Sequence, residues 1–192
     1  MAITTFLPYL FDFFFDINII CYGDKEWKLN KDILYLKVKY QWKSVYLIHN
    51  RIYILCREKG IDPITANAIT MAATELMENA VKYGRSLPDC KEIEFLFTKE
   101  EYSTVKIAVT NGVVSDDHMQ KFLLHLQQLR DTENPEALFT ERVLELMDKP
   151  DCSSGQLGLF RIAYEGSFTI DYEYVNDRLT IIARRNMPKN FF

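Results

Sequence analysis

Glycine and histidine are scarce in this chain, with 7 and 3 residues among 192, and they are scattered. The histidines His49, His118 and His125 and the cysteines Cys21, Cys56, Cys90 and Cys152 form no CxxC pair and no ligand-spaced cluster. A zinc site is therefore not expected. The cysteines read as reduced thiols of a cytoplasmic protein, and the histidines as packing or surface residues. Clustered basic charge is lacking too. Net charge is -4 and the densest basic groups are only Arg184-Arg185 and Lys37-Lys39, which argues against nucleic acid as a partner. Nor is there an uninterrupted apolar run. The greasy stretch from Phe6 to Tyr22 is broken by Asp12, Asp16 and Asn18, well short of the roughly 20 apolar residues of a membrane span, and it has no basic leader. Phe13, Phe15, Ile17 and Ile19 instead alternate with Asp12, Phe14, Asp16 and Asn18, as in a strand with one face more buried. No membrane contact is expected.

What the chain does have is apolar bulk: 48% hydrophobic and 14% aromatic residues, enough for one substantial core and a single domain over 1–192. Residues 1–40 read as N-terminal strands, the second over Ile33–Tyr40. A helix from about Ser44 to Lys59 carries Val45, Ile48, Ile52, Leu55 and Cys56 at helical spacing, with Gly60 as its C-cap. Asp62 and Pro63 then supply an N-cap and a first helical residue for a helix ending at Tyr83-Gly84. Strands at 92–98 and 104–110 form a hairpin. Two amphipathic helices follow over 116–130 and 135–147, then a shorter one through about Glu165. Two last strands meet at Asn176-Asp177. This order predicts an α+β two-layer sandwich, its sheet mixed or mostly antiparallel, with helices on one face.

Three segments carry candidate chemistry. On the Asp62–Gly84 helix, Glu75, Asn79 and Lys82 fall within an arc of about 60° at roughly 100° per residue. They lie beside the apolar stripe of Ile69, Ala73, Leu76, Ala80 and Tyr83, so they are expected on the rim of the core. A solvated face with a Glu78–Lys82 pair at i, i+4 explains the same residues. Asn111-Gly112 ends a strand, where a polar side chain and a close backbone suit a ligand, although Asn-Gly is also a common turn. Ser153 to Leu159 brings small residues to a helix start, where free N–H groups favour phosphate or merely cap the helix.

In this order the segments resemble the GHKL superfamily of histidine-kinase-like ATPases. Glu75-x-x-x-Asn79-Ala-x-Lys82-x-Gly84 looks like its first motif. Within the superfamily the chain is most similar to bacterial anti-sigma-factor serine kinases and, in its later part, to SiaB-type protein kinases. The resemblance covers roughly 41–185 and implies a Bergerat-type ATP-binding fold with a lid or insert over about 113–151. It implies Glu75 as general base, Asn79 as Mg²⁺ ligand and Lys82 on phosphate. Asn111 and Gly112 would lie at the adenine, Gly155, Leu157, Gly158 and Leu159 would cap the phosphates, and Thr180 would touch the base through water.

The chain departs from that family at two points. The adenine reader is Asn rather than Asp, and Ser154 and Gln156 stand where glycines are favoured. Histidine-kinase chemistry is disfavoured, because His49 is followed by Asn50-Arg51 rather than by an acidic residue. Beside a structural α+β protein outside that superfamily, whose Glu75 stripe is only surface, two functions remain open. One is an ATP- and Mg²⁺-dependent Ser/Thr kinase of the partner-switching type, acting on a small regulatory protein. The other is a degenerate relative with weak or no nucleotide binding, working as a non-enzymatic interaction module. Homodimerisation is compatible with both, with Phe11–Phe15 as a candidate contact.

Overall fold

Helix α1 (Trp42–Glu58) ends where its chemistry demands. Gly60 takes a φ of +69°, its N–H bonds the Arg57 carbonyl, and the Ile61 N–H bonds the Cys56 carbonyl. This is a Schellman closure, which glycine adopts without a Cβ clash. Asp62 then caps α2 (Pro63–Tyr83), its side chain accepting from the N–H groups of Ile64 and Thr65. The helix start at Trp42 lies two residues before the expected Ser44.

The computed structural model describes residues 33–113, 117–148 and 157–188. The alternating segment at 12–19 and the turn residues Ser153, Ser154, Gly155 and Gln156 lie outside these ranges. The strands are β1 (Ile33–Val38), β2 (Ile93–Glu100), β3 (Thr104–Gly112), β4 (Thr169–Val175) and β5 (Arg178–Asn186). They form one sheet in the order β1-β2-β3-β5-β4, and each neighbouring pair is antiparallel. The remaining helices are α3 (Asp117–Asp131), α4 (Pro135–Asp148) and α5 (Leu157–Tyr164). The architecture is thus the expected α+β sandwich. Asn176 and Asp177 both take positive φ, near 52° and 59°, in the two-residue turn joining β4 to β5.

Pleating divides the sheet. Leu36, Phe95, Val109 and Ile181 face one another across successive strands, and the last three are buried beneath the helices. Asn111 follows Val109 by two residues and therefore shares that face. On the other side Glu94, Thr110 and Thr180 align, with Lys37 bonded to Glu94 at 3.1 Å.

Helix α2 packs against α1, α5 and β3, which submerges Ile69, Ala73, Leu76, Met77 and Ala80. The same packing overturns one expectation. Asn79 is only 3% exposed, inside the core rather than on its rim, because three elements close on α2 where an amphipathic reading assumed one. The insert also divides unevenly. α3 buries Met119, Phe122, Leu126 and Leu129, while α4 buries no residue and leaves Leu144 and Met147 exposed. Among the described residues no helix is long and apolar enough to cross a membrane.

Leu76 is fully buried and Ile64 is 81% exposed on the same helix. Leu76→Ala should cost about 2–5 kcal/mol, whereas Ile64→Ala should stay within about 0.5 kcal/mol. Urea unfolding checks this, and equal losses would contradict the packing of α2.

Candidate functional site

Glu75 lies in the seam where α2 meets α5. Its Oε1 accepts from Arg161 Nη1 at 2.9 Å, and Arg161 Nε also donates to Glu165 at 3.2 Å. The approach of the helices depends on Gly158. A Cβ added there would stand 2.1 Å from Glu75 Oε2 and 2.9 Å from Glu75 Cδ. One carboxylate oxygen is therefore ion-paired and the other lies beneath the first turn of α5. Burial raises the Glu75 carboxyl above its ordinary range, with Glu78 and Glu165 adding to the rise, while Arg161 and Lys82 pull it down.

One turn further along α2, the Asn79 side chain has its Nδ2 buried with no hydrogen-bond partner. An orphaned amide in a core costs on the order of 1–3 kcal/mol, and native proteins rarely leave one without a reason. A half-turn of the amide exchanges its oxygen and nitrogen. The unpartnered end can thus offer an acceptor to a hydrated cation or a donor to an anion.

The helix ends at Gly84, beside Asn111. A Cβ on Gly84 would meet Ala80 O at 2.2 Å and the Tyr40 ring at 2.6 Å, with Asn111 Nδ2 at 3.0 Å. Asn111 is 3% exposed and donates to the carbonyl of Gly112 at 3.1 Å. That carbonyl also accepts from the Arg85 N–H at 2.7 Å, while the Gly112 N–H donates to Tyr40 Oη at 2.9 Å. Burial pushes the Tyr40 hydroxyl up to about 12, against the pull of the Gly112 N–H. Gly112 owes its small size to this corner, since a Cβ would meet Arg85 O at 2.4 Å. Both of its backbone groups are already committed.

The structure therefore brings Glu75, Asn79, Asn111 and Gly158 into one row along α2. Residues 75 to 84 span about 14 Å at a rise of ~1.5 Å per residue. Other candidates stand apart from the row. Lys82 bonds Glu78 at 3.0 Å and lies over the Trp42 ring on the α1 side. Thr180 holds the Thr110 hydroxyl at 2.8 Å on the sheet face opposite Asn111. Leu159 is fully buried in the core and Leu157 is half-buried. Gly155 lies outside the described residues.

Two participants were not anticipated: Tyr40 and Arg161. Arg161 had a sequence signal, since it follows Gly158 by three residues on one helical face. Tyr40 had none, being 72 positions from its partner. Among the described residues no group of three or more His, Cys, Asp or Glu side chains could hold a metal ion. A cation here would rely on the Asn79 amide and on groups that it brings with it. A separate open cleft of about 940 Å³, lined by residues including Glu100, Thr104, Ser167 and Arg184, lies at the other end of β3 from Asn111. It is lined by none of the candidate site residues.

No protein-family model matches this sequence, and no curated protein matches it. The fold does have a counterpart. A chain in the crystal structure of the SiaB-SiaC complex from Pseudomonas aeruginosa superposes with a TM-score of 0.62 at 13% identity. The match covers 82% of this chain and 92% of that one. At that identity the likeness is one of fold.

If Gly158 is glycine because Glu75 lies against it, Gly158→Ala must displace the carboxylate and break its pairing with Arg161. The substitution should cost about 1–3 kcal/mol, and in a Glu75→Ala background most of that cost should disappear. A double-mutant cycle by thermal unfolding measures the coupling. Strict additivity would contradict the contact.

Proposed function

We propose that this protein is a Mg-ATP-binding regulator that transfers a phosphoryl group to a Ser or Thr hydroxyl of a protein partner. The observation that carries the proposal is the Asn79 amide, buried and unpartnered one turn from the half-buried carboxylate of Glu75. A polar ligand at that position would satisfy it. The fold supports the partner role as well, because its structural counterpart belongs to a complex of two proteins, SiaB and SiaC.

In this reading the row along α2 has a base end and a phosphate end. Asn111 stands at the base end, its Nδ2 held by Gly112, which leaves the amide oxygen as the group to accept from an exocyclic amine. Asn79 would hold the hydrated Mg²⁺, which when bound would supply charge neutralisation on the phosphates. Glu75 takes the proton from the attacking hydroxyl as its oxygen bonds the γ-phosphorus and the bond to the leaving diphosphate breaks. A base raised by burial is better suited to that proton than an ordinary surface carboxylate.

One observation favours a second reading, a non-enzymatic interaction module. Glu75 is already engaged by Arg161 and covered by Gly158, so it is not free to act as a base in this arrangement.

Calorimetry with Mg-ATP separates the readings. Binding is expected in the parent, with Asn79→Ala weakening it at least tenfold and removing its dependence on Mg²⁺, on the order of one charge-assisted contact. Glu75→Gln should bind at least as tightly as the parent while phosphotransfer to the partner falls about 10²–10⁴-fold. Absence of heat and of a thermal shift at millimolar nucleotide would leave the interaction module as the function.

A further inference from the structure

We infer that Arg161 is the γ-phosphate contact of this site, held on Glu75 until a nucleoside triphosphate draws it away. The inference rests on the nucleotide reading above and assigns that site a residue outside its motifs. Arg161 stands on the helix whose first turn covers Glu75, and its guanidinium is shared between Glu75 at 2.9 Å and Glu165 at 3.2 Å. Its side chain is 38% exposed, against 19% for Glu75. The arginine is the more exposed partner of the pair, and of the two it is the one better placed to turn toward an incoming anion.

The chemistry of exchange follows from the groups themselves. A guanidinium presents a planar fork of donors that matches phosphate oxygens as well as it matches a carboxylate. A terminal phosphate offers more charge and more acceptor oxygens than Glu75, so it competes for the same donors. When Arg161 turns to it, Oε1 of Glu75 loses its partner and becomes free to accept a proton. Glu165 can keep its hold on Nε throughout, acting as the hinge of the exchange. A triphosphate thereby unmasks the base, and a diphosphate leaves it masked.

The test is calorimetry of Mg-ATP and Mg-ADP with the full chain, its Arg161→Gln, Arg161→Lys and Glu75→Gln variants, and thermal melts to verify folding. The parent should prefer ATP over ADP by about tenfold, the scale of one charged hydrogen bond. Arg161→Gln should abolish that preference while ADP affinity stays constant, and Arg161→Lys should restore part of it. Glu75→Gln removes the competitor for the guanidinium, so it should tighten ATP and leave ADP unchanged; a merely structural ion pair would not behave this way. A preserved ATP preference in Arg161→Gln overturns the inference, and so does unchanged or weakened ATP binding in Glu75→Gln. The second variant decides the matter if the first does not fold. A parent that binds neither nucleotide overturns the nucleotide reading itself, a distinct result from either.

Discussion

The structure depends on the burial of α2. This helix is closed in by α1, by α5 and by β3, and most of its circumference is apolar or small: Ala66, Ile69, Ala72, Ala73, Leu76 and Ala80. Small residues allow close approach on several sides at once. The consequence is a seam in which any polar side chain is desolvated and must find a partner. Glu75 finds Arg161. Asn79 leaves its Nδ2 without one.

The same enclosure explains the glycines beside α2. Gly158 lets α5 rest on the Glu75 carboxylate, and Gly84 lets the end of α2 pass Tyr40 and Asn111. Neither residue has a positive φ, so their requirement is space rather than backbone conformation. Glycine is rare in this chain, and both of these stand where elements distant in sequence converge on α2. Their placement outlines the row from Asn111 to Glu75 independently of any motif.

Legibility in the sequence followed the range of the interaction. Asp62-Pro63, Gly60 and Asn176-Asp177 act within a few residues, and each punctuates the fold where its chemistry predicts. Alternation identified β2 and β3 because one face of that hairpin is core and the other is polar. The depth of Asn79 was not legible, because helical periodicity places a residue on a face and does not count the elements that will cover it. Arg161 on Glu75 and Tyr40 on Gly112 bridge 86 and 72 positions, and no local pattern encodes such pairs. Periodicity likewise gave α3 and α4 the same amphipathic character, yet α3 packs on the sheet at β4 while α4 packs chiefly on α5.

Under the proposed function, the row along α2 receives a magnesium nucleotide. Side-chain amide resonances of asparagine report on it most directly, because Asn79 and Asn111 lie at separate points of the row and both are buried. Titrating isotope-labelled protein with ATP and Mg²⁺ should shift the side-chain amides of Asn79 and Asn111 and the backbone amide of Gly158 together. Omitting Mg²⁺ should diminish the Asn79 shift selectively. Unmoved asparagine amides at millimolar Mg-ATP, or shifts confined to the cleft around Glu100 and Arg184, would contradict the account.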